Sequence, residues 1–130
     1  MRRKIGPLLW ALLIYGAACA QEFPEAPFQH KFWDRTNRTL FAVHAGLEAL
    51  DMGITHHNLS QGGHELNPMG KALCESGTPG QVVFFAGRTA GVAGISYFLH
   101  RLGRHRMERA FLALSSVDSG YGVVYSFAHR

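Results

Sequence analysis

Four polar residues, His44, Glu48, Asp51 and Thr55, recur at intervals of three or four along an otherwise apolar stretch. At 100° per residue they fall within an arc of about 60° on a helix, and Leu40, Val43, Leu47, Leu50 and Ile54 lie off it. An imidazole and two carboxylates on one narrow stripe can exchange protons, ligate a divalent cation or pair with a buried base. Ionisable groups held in apolar surroundings need such partners. Arg88 is the natural one, because it stands alone in the apolar run from Val82 to Leu99 and is costly to bury unaccompanied. Glu48, Asp51 and Asp118 are the carboxylates available to it, with the pair on the stripe preferred.

Eight histidines add a second chemistry. If the apolar helices fold as a hairpin, His56, His57, His64 and His100 come near the Glu48 and Asp51 stripe. His44, Glu48, Asp51, His56, His57 and His64 then form a nitrogen and oxygen donor set suited to zinc or iron. No ligand motif supports it. His64-Glu65-Leu66-Asn67-Pro68 opens like the helical zinc-protease signature but has proline where the second histidine belongs, which excludes that motif. Ser60, Ser76, Ser96, Ser115 and Ser116 have no G-x-S-x-G setting, and no phosphate-cradling glycine loop is present. No catalytic residue is therefore assigned, and the main reading carries no enzyme activity and no cofactor.

The elements that must carry these residues are three apolar stretches, Thr39 to Leu59, Gln81 to His100 and Ala110 to Ala128. Asp34 or Thr36 can cap the first, because a short side-chain oxygen accepts from the free amides of a first turn. Gly120 and Gly122 interrupt the third, and Val123-Val124-Tyr125 is β-branched and aromatic, so a short strand or broken helix is allowed there. Gly87, Gly91 and Gly94 share one side of the second stretch and include a G-x-x-x-G spacing, which predicts a close helix–helix seam. Glu65, Asn67 and Pro68 read as a clasp, with Glu65 and Asn67 folding back to bond the end of the first helix and Pro68 starting the next turn.

Asp51-Met-Gly-Ile-Thr55, followed by Glu65-Leu-Asn67-Pro68, resembles a family of small bacterial multi-helix membrane proteins of unknown function that share D-x-x-x-T and then E-x-N-P. The resemblance spans about residues 40 to 105. It implies a helical membrane protein and brings no activity with it.

Residues 1–20 fix the expected compartment. Arg2, Arg3 and Lys4 precede the apolar run Pro7 to Tyr15, and Ala18-Cys19-Ala20 offers a small-x-small cleavage site, the pattern of an export signal. Lipidation at Cys19 is the alternative use of that site. Thirteen basic residues oppose nine acidic ones in the whole chain, but ten oppose nine without the leader, so the basic excess argues little for a nucleic-acid partner. Cys74 is the one cysteine beyond the leader, which leaves no internal disulfide to hold a small exported domain. With 47% hydrophobic and 17% charged residues, a bilayer can do the burying instead.

The expected organisation is a signal peptide over 1–20, an extended arm over 21–38 and one all-α domain over 39–130. That domain is a small membrane-embedded bundle of about three apolar helices. The expected function is that of an envelope protein in the inner membrane, a structural or interaction component whose partners are lipid, other membrane helices or itself. A metal-binding protein or metal-dependent enzyme, and a soluble periplasmic ligand-binding module, are the alternatives. An exported amino terminus with one span over 82–100 would deliver Arg101, Arg104, Arg106 and Arg109 to the cytoplasm, as basic residues prefer.

Overall fold

A computed structural model describes residues His30–His129. The leader, Cys19 and most of the expected arm lie outside these residues. Helix α1 spans Arg35–Ser60, α2 is a single turn over Lys71–Cys74, α3 spans Thr78–Arg101 and α4 spans His105–Ala128. Among the described residues all regular structure is helical. The helical reading of the fold therefore holds at the level of three long helices.

Local chemistry sets most of the boundaries. Asp34 caps α1 by accepting from the Asn37 amide at 2.8 Å, so the last four residues of the expected arm, 35–38, are already helical. Gly62, at φ 84°, turns the chain out of α1, and the Gly63 amide returns to the Asn58 carbonyl at 3.0 Å. Pro79 lies in the first turn of α3, where its missing amide hydrogen costs nothing. At the other end Gly103 takes φ 71°, its amide reaching His100 and that of Arg104 reaching Leu99, a Schellman closure. Only Leu102 to Arg104 separate α3 from α4, so most of the basic segment Arg101 to Arg109 is helical.

The expectation of a strand or break in the third stretch is not met. Helix α4 runs unbroken through Gly120 and Gly122 because Gly122 serves a contact. A Cβ there would lie 2.7 Å from Asp51 Oδ2, so the missing side chain lets α1 approach. Gly80 is tighter, since its Cβ would meet the Leu73 carbonyl oxygen at 2.0 Å where α2 packs under α3. Gly87, Gly91 and Gly94 have no neighbour within 4 Å of a Cβ among the described residues, so none of the described helices packs on them.

Cross-helix bonds join Asn37 to Glu108, His44 to Ser119 and Asp51 to Ser126, with separations of 71 to 75 residues. That near-constant offset means α1 and α4 run in the same direction. Helix α3 runs against both, with Gln81 beside His56 at one end and His100 beside Glu108 at the other.

The interior of this bundle is polar. All five buried residues of α1 are polar or ionisable: Asn37, His44, Glu48, Asp51 and Thr55. Gln81, Ser96, Glu108, Ser116 and Ser119 join them, whereas the buried apolar side chains are Cys74, Phe85 and Leu112. Large apolar residues such as Phe98, Leu114, Val117 and Val124 face outward, each more than 60% exposed. Helix α3 is long and apolar enough by length and composition to cross a membrane, and 11% of its most apolar window is buried in the bundle.

Candidate functional site

Two clusters of ionisable groups lie inside the bundle. The first is the stripe read from the sequence. His44 and Glu48 point from α1 toward α4, where Ser119 Oγ donates to Glu48 Oε1 at 2.5 Å and contacts His44 Nδ1 at 3.1 Å. Glu48 also meets Arg88 of α3 at 3.2 Å, and Arg88 reaches on to Asp118 of α4 at 2.7 Å. Asp51 accepts from Ser126 at 2.9 Å, and Thr55 continues the buried face.

Arg88 thus carries the cation between two carboxylates on different helices, and it lies over the Phe84 ring at 5.6 Å. The hydroxyl of Ser119 stands between the imidazole and the carboxylate. In a serine–histidine–carboxylate triad the imidazole holds that middle place, so the order of groups here differs from that triad.

A cavity of about 370 Å³ opens beside this stripe between α1, α3, α4 and the loop after α1. Asp51, Arg88, Asp118 and Tyr121 contribute to its wall, with Glu65 and Asn67 from the loop.

The remaining sequence candidates separate. His56 bonds Gln81 at 3.0 Å, His57 is exposed at the end of α1, and His64 lies 3.7 Å from Glu75. They do not converge with Glu48 and Asp51, so the alternative metal set read from the sequence is not assembled among the described residues. Glu65 and Asn67 serve their own loop: the Asn67 amide donates to Glu65 at 2.8 Å and the Met69 amide to Asn67 at 3.0 Å. The expected clasp on α1 is replaced by these short-range bonds, because a side chain one or two residues from a free amide reaches it with little ordering cost. Pro68 leads into α2, the short turn that follows.

The second cluster involves residues that the sequence reading passed over, apart from His100, which it placed near Glu48. His100, at the end of α3, lies instead at the opposite end of the bundle, with His30, His105 and Glu108. The ligand atoms of these four residues all lie within 4.8 Å of one another, and they are the one such histidine and carboxylate group among the described residues.

Glu108 is fully buried in the first turn of α4. Its Oε2 lies 3.0 Å from His100 Nδ1, 3.3 Å from His105 Nδ1 and 3.6 Å from His30 Nε2. Its Oε1 accepts from the Asn37 amide group. Arg109 binds Asp34 at 2.5 Å, and the Asn37 backbone amide, followed by Arg109, holds the Asp34 carboxyl below its usual range.

Sequence spacing held one signal for this cluster. His105 and Glu108 are three apart on a helix, and His100 precedes them across a tight turn. His30, 75 residues from His105, carried none.

Comparison with protein families, with curated proteins and with solved structures finds no match to this chain.

Proposed function

We propose that the protein is an integral membrane component of the bacterial cell envelope that works as a structural or interaction element, its apolar exterior against lipid or neighbouring helices. The inverted bundle carries this reading. In water, burying one leucine, valine or phenylalanine side chain is worth about 1.5–3 kcal/mol, so a soluble bundle turns such residues inward. Here they face outward, while His44, Glu48, Asp51 and Glu108 face inward. Inside a bilayer that pattern is the favourable one, because ionisable groups are cheapest where they meet each other. The long helices, 24 to 26 residues, extend about 36–39 Å at 1.5 Å per residue, enough for a hydrocarbon core of about 30 Å.

The buried polar groups act chiefly on each other, which supports a packing role. Ser119, Glu48, Arg88 and Asp118 link α1, α3 and α4 through a continuous set of contacts. Exposed apolar surface on every long helix leaves room for a second copy or another membrane protein. Two-phase detergent partitioning of the purified chain tests the reading. Recovery in the detergent-rich phase is expected, and recovery of folded protein in the aqueous phase would favour a soluble periplasmic module.

A further inference from the structure

We propose that His30, His100, His105 and Glu108 form a binding site for one divalent transition-metal ion, with zinc the best match, which ties the segment before α1 to the turn between α3 and α4.

The hydrogen-bond geometry of His30 points to this site. Its Nδ1 lies 2.9 Å from the Lys31 carbonyl oxygen, which can only accept, so Nδ1 bears a hydrogen. In the neutral ring Nε2 is then a lone pair. That Nε2 is buried with no hydrogen-bond partner among the described residues, on a side chain 8% exposed, and it faces Glu108 Oε2 at 3.6 Å. A lone pair facing a carboxylate oxygen in a buried place is repulsive unless a metal ion or a proton lies between them, and the two further imidazoles on the same oxygen favour the metal.

The other two imidazoles turn to the same oxygen, on side chains 17% and 18% exposed. Of the six donor–donor separations, the three nitrogen–oxygen ones of 3.0, 3.3 and 3.6 Å bracket the edge of about 3.3 Å in a tetrahedron with bonds of about 2.0 Å. The whole set lies within 4.8 Å, so the imidazoles must draw together around an ion.

The groups behind the ligands match a metal site as well. A metal-bound histidine usually donates its other nitrogen to a carbonyl or carboxylate, which fixes its tautomer. His30 does so to Lys31, with Asp34 a further 3.4 Å contact. Asn37 occupies the other oxygen of Glu108 and fixes the carboxylate. Arg109, the residue after Glu108, is paired with Asp34 rather than with the cluster. Three imidazoles and one carboxylate favour zinc or a late first-row metal over magnesium or calcium, and four protein donors describe a structural site. The consequence is a staple where a disulfide is unavailable, since Cys74 is the one cysteine beyond the leader.

The test uses the full chain purified without a polyhistidine tag, stripped with a chelator and titrated with cobalt and then zinc. One cobalt per chain is expected, with the intense visible bands of a four-coordinate ion, displaced by zinc. Glu108→Gln and His105→Ala should each weaken binding by more than about 100-fold, and Asn37→Ala by about 10–100-fold. His64→Ala, on an exposed loop residue, should bind as the parent does. His30→Gln lies outside the helices and keeps the test open if a helix variant fails to fold, and far-UV circular dichroism reports that failure. A helical parent chain that takes up no metal would overturn the proposal and leave protons to hold the cluster together. Unchanged affinity in folded Glu108→Gln or His30→Gln would overturn it too. The site does not depend on the membrane reading, and the titration is equally readable in detergent or in buffer.

Discussion

The Arg88 guanidinium stands 3.2 Å from the carboxylate of Glu48, a side chain only 2% exposed. This pair crosses from α3 to α1 at the middle of the polar interior, and Ser119 closes it from α4. Removing one partner strands the other in a place without water, whereas removing both charges does not. Arg88→Met should therefore destabilise the bundle by roughly 3 kcal/mol, the low end for a buried pair because Arg88 is partly exposed and also holds Asp118. Arg88→Met with Glu48→Gln should recover most of that loss. Thermal unfolding of the four proteins in one detergent measures the coupling, and additive losses would show that the contact carries no stability.

Ser119 bonds Glu48 from a fully buried position. Ser119→Ala leaves Glu48 without its hydroxyl donor and should cost about 1–3 kcal/mol. A thermal midpoint equal to that of the parent would mean that Arg88 alone satisfies the carboxylate.

The two kinds of glycine on α3 should behave oppositely. Gly80→Ala sets a methyl against the Leu73 carbonyl and should destabilise by about 1–3 kcal/mol or more. Gly91→Ala meets nothing within 4 Å and should stabilise the helix by about 0.5–1 kcal/mol. A loss of assembly in Gly91→Leu with unchanged unfolding would reveal that the small-residue face packs against another chain.

Cys74 is fully buried, and burial raises its thiol to about 11, with Glu65, Asp51 and Glu75 adding to the shift. The folded state keeps its proton longer than the unfolded chain. This contribution to stability is therefore complete below the ordinary value of 9 and is lost as pH rises toward 11. Alkylation of the native protein should be very slow at pH 7 and accelerate toward pH 11. Rapid labelling at pH 7 would show that the α2 turn opens.

An inert Cys74 frees engineered cysteines to report topology. His30 and the turn between α3 and α4 share one end of the bundle, together with Lys31, Arg35, Arg38, Arg101, Arg104 and Arg106. In the proposed arrangement α1, α3 and α4, packed side by side, cross together, although α3 is the one helix among the described residues that is long and apolar enough to do so by length and composition. If residues 1–20 act as the export signal expected from the sequence, the His30 end lies outside the cytoplasm, against the usual preference of basic residues, because the first segment commonly dominates orientation. An impermeant thiol reagent should label Leu102→Cys in intact cells and spare Met69→Cys. The reverse pattern would show that the basic residues set the orientation.

The stripe of His44, Glu48, Asp51 and Thr55 was legible because helical periodicity fixes spacing within one element. Its partners were not legible. Ser119 and Ser126 resemble any helical serine until the offset between α1 and α4 is known, and Gly122 reads as a breaker until Asp51 is seen against it. The cluster around Glu108 was the least legible part, because it forms from three helix ends and the segment before α1. The glycine spacing on α3 suggested a seam, but small residues mark only where a helix can approach, and none of the described helices does so there.

If the apolar exterior of the bundle faces lipid, as proposed, an alkaline carbonate wash of membranes from cells making the native chain should leave the protein in the membrane pellet, with Phe98, Leu114, Val117 and Val124 held in hydrocarbon. Release of the folded chain into the wash would contradict that proposal and return the outward apolar face to contacts made in water.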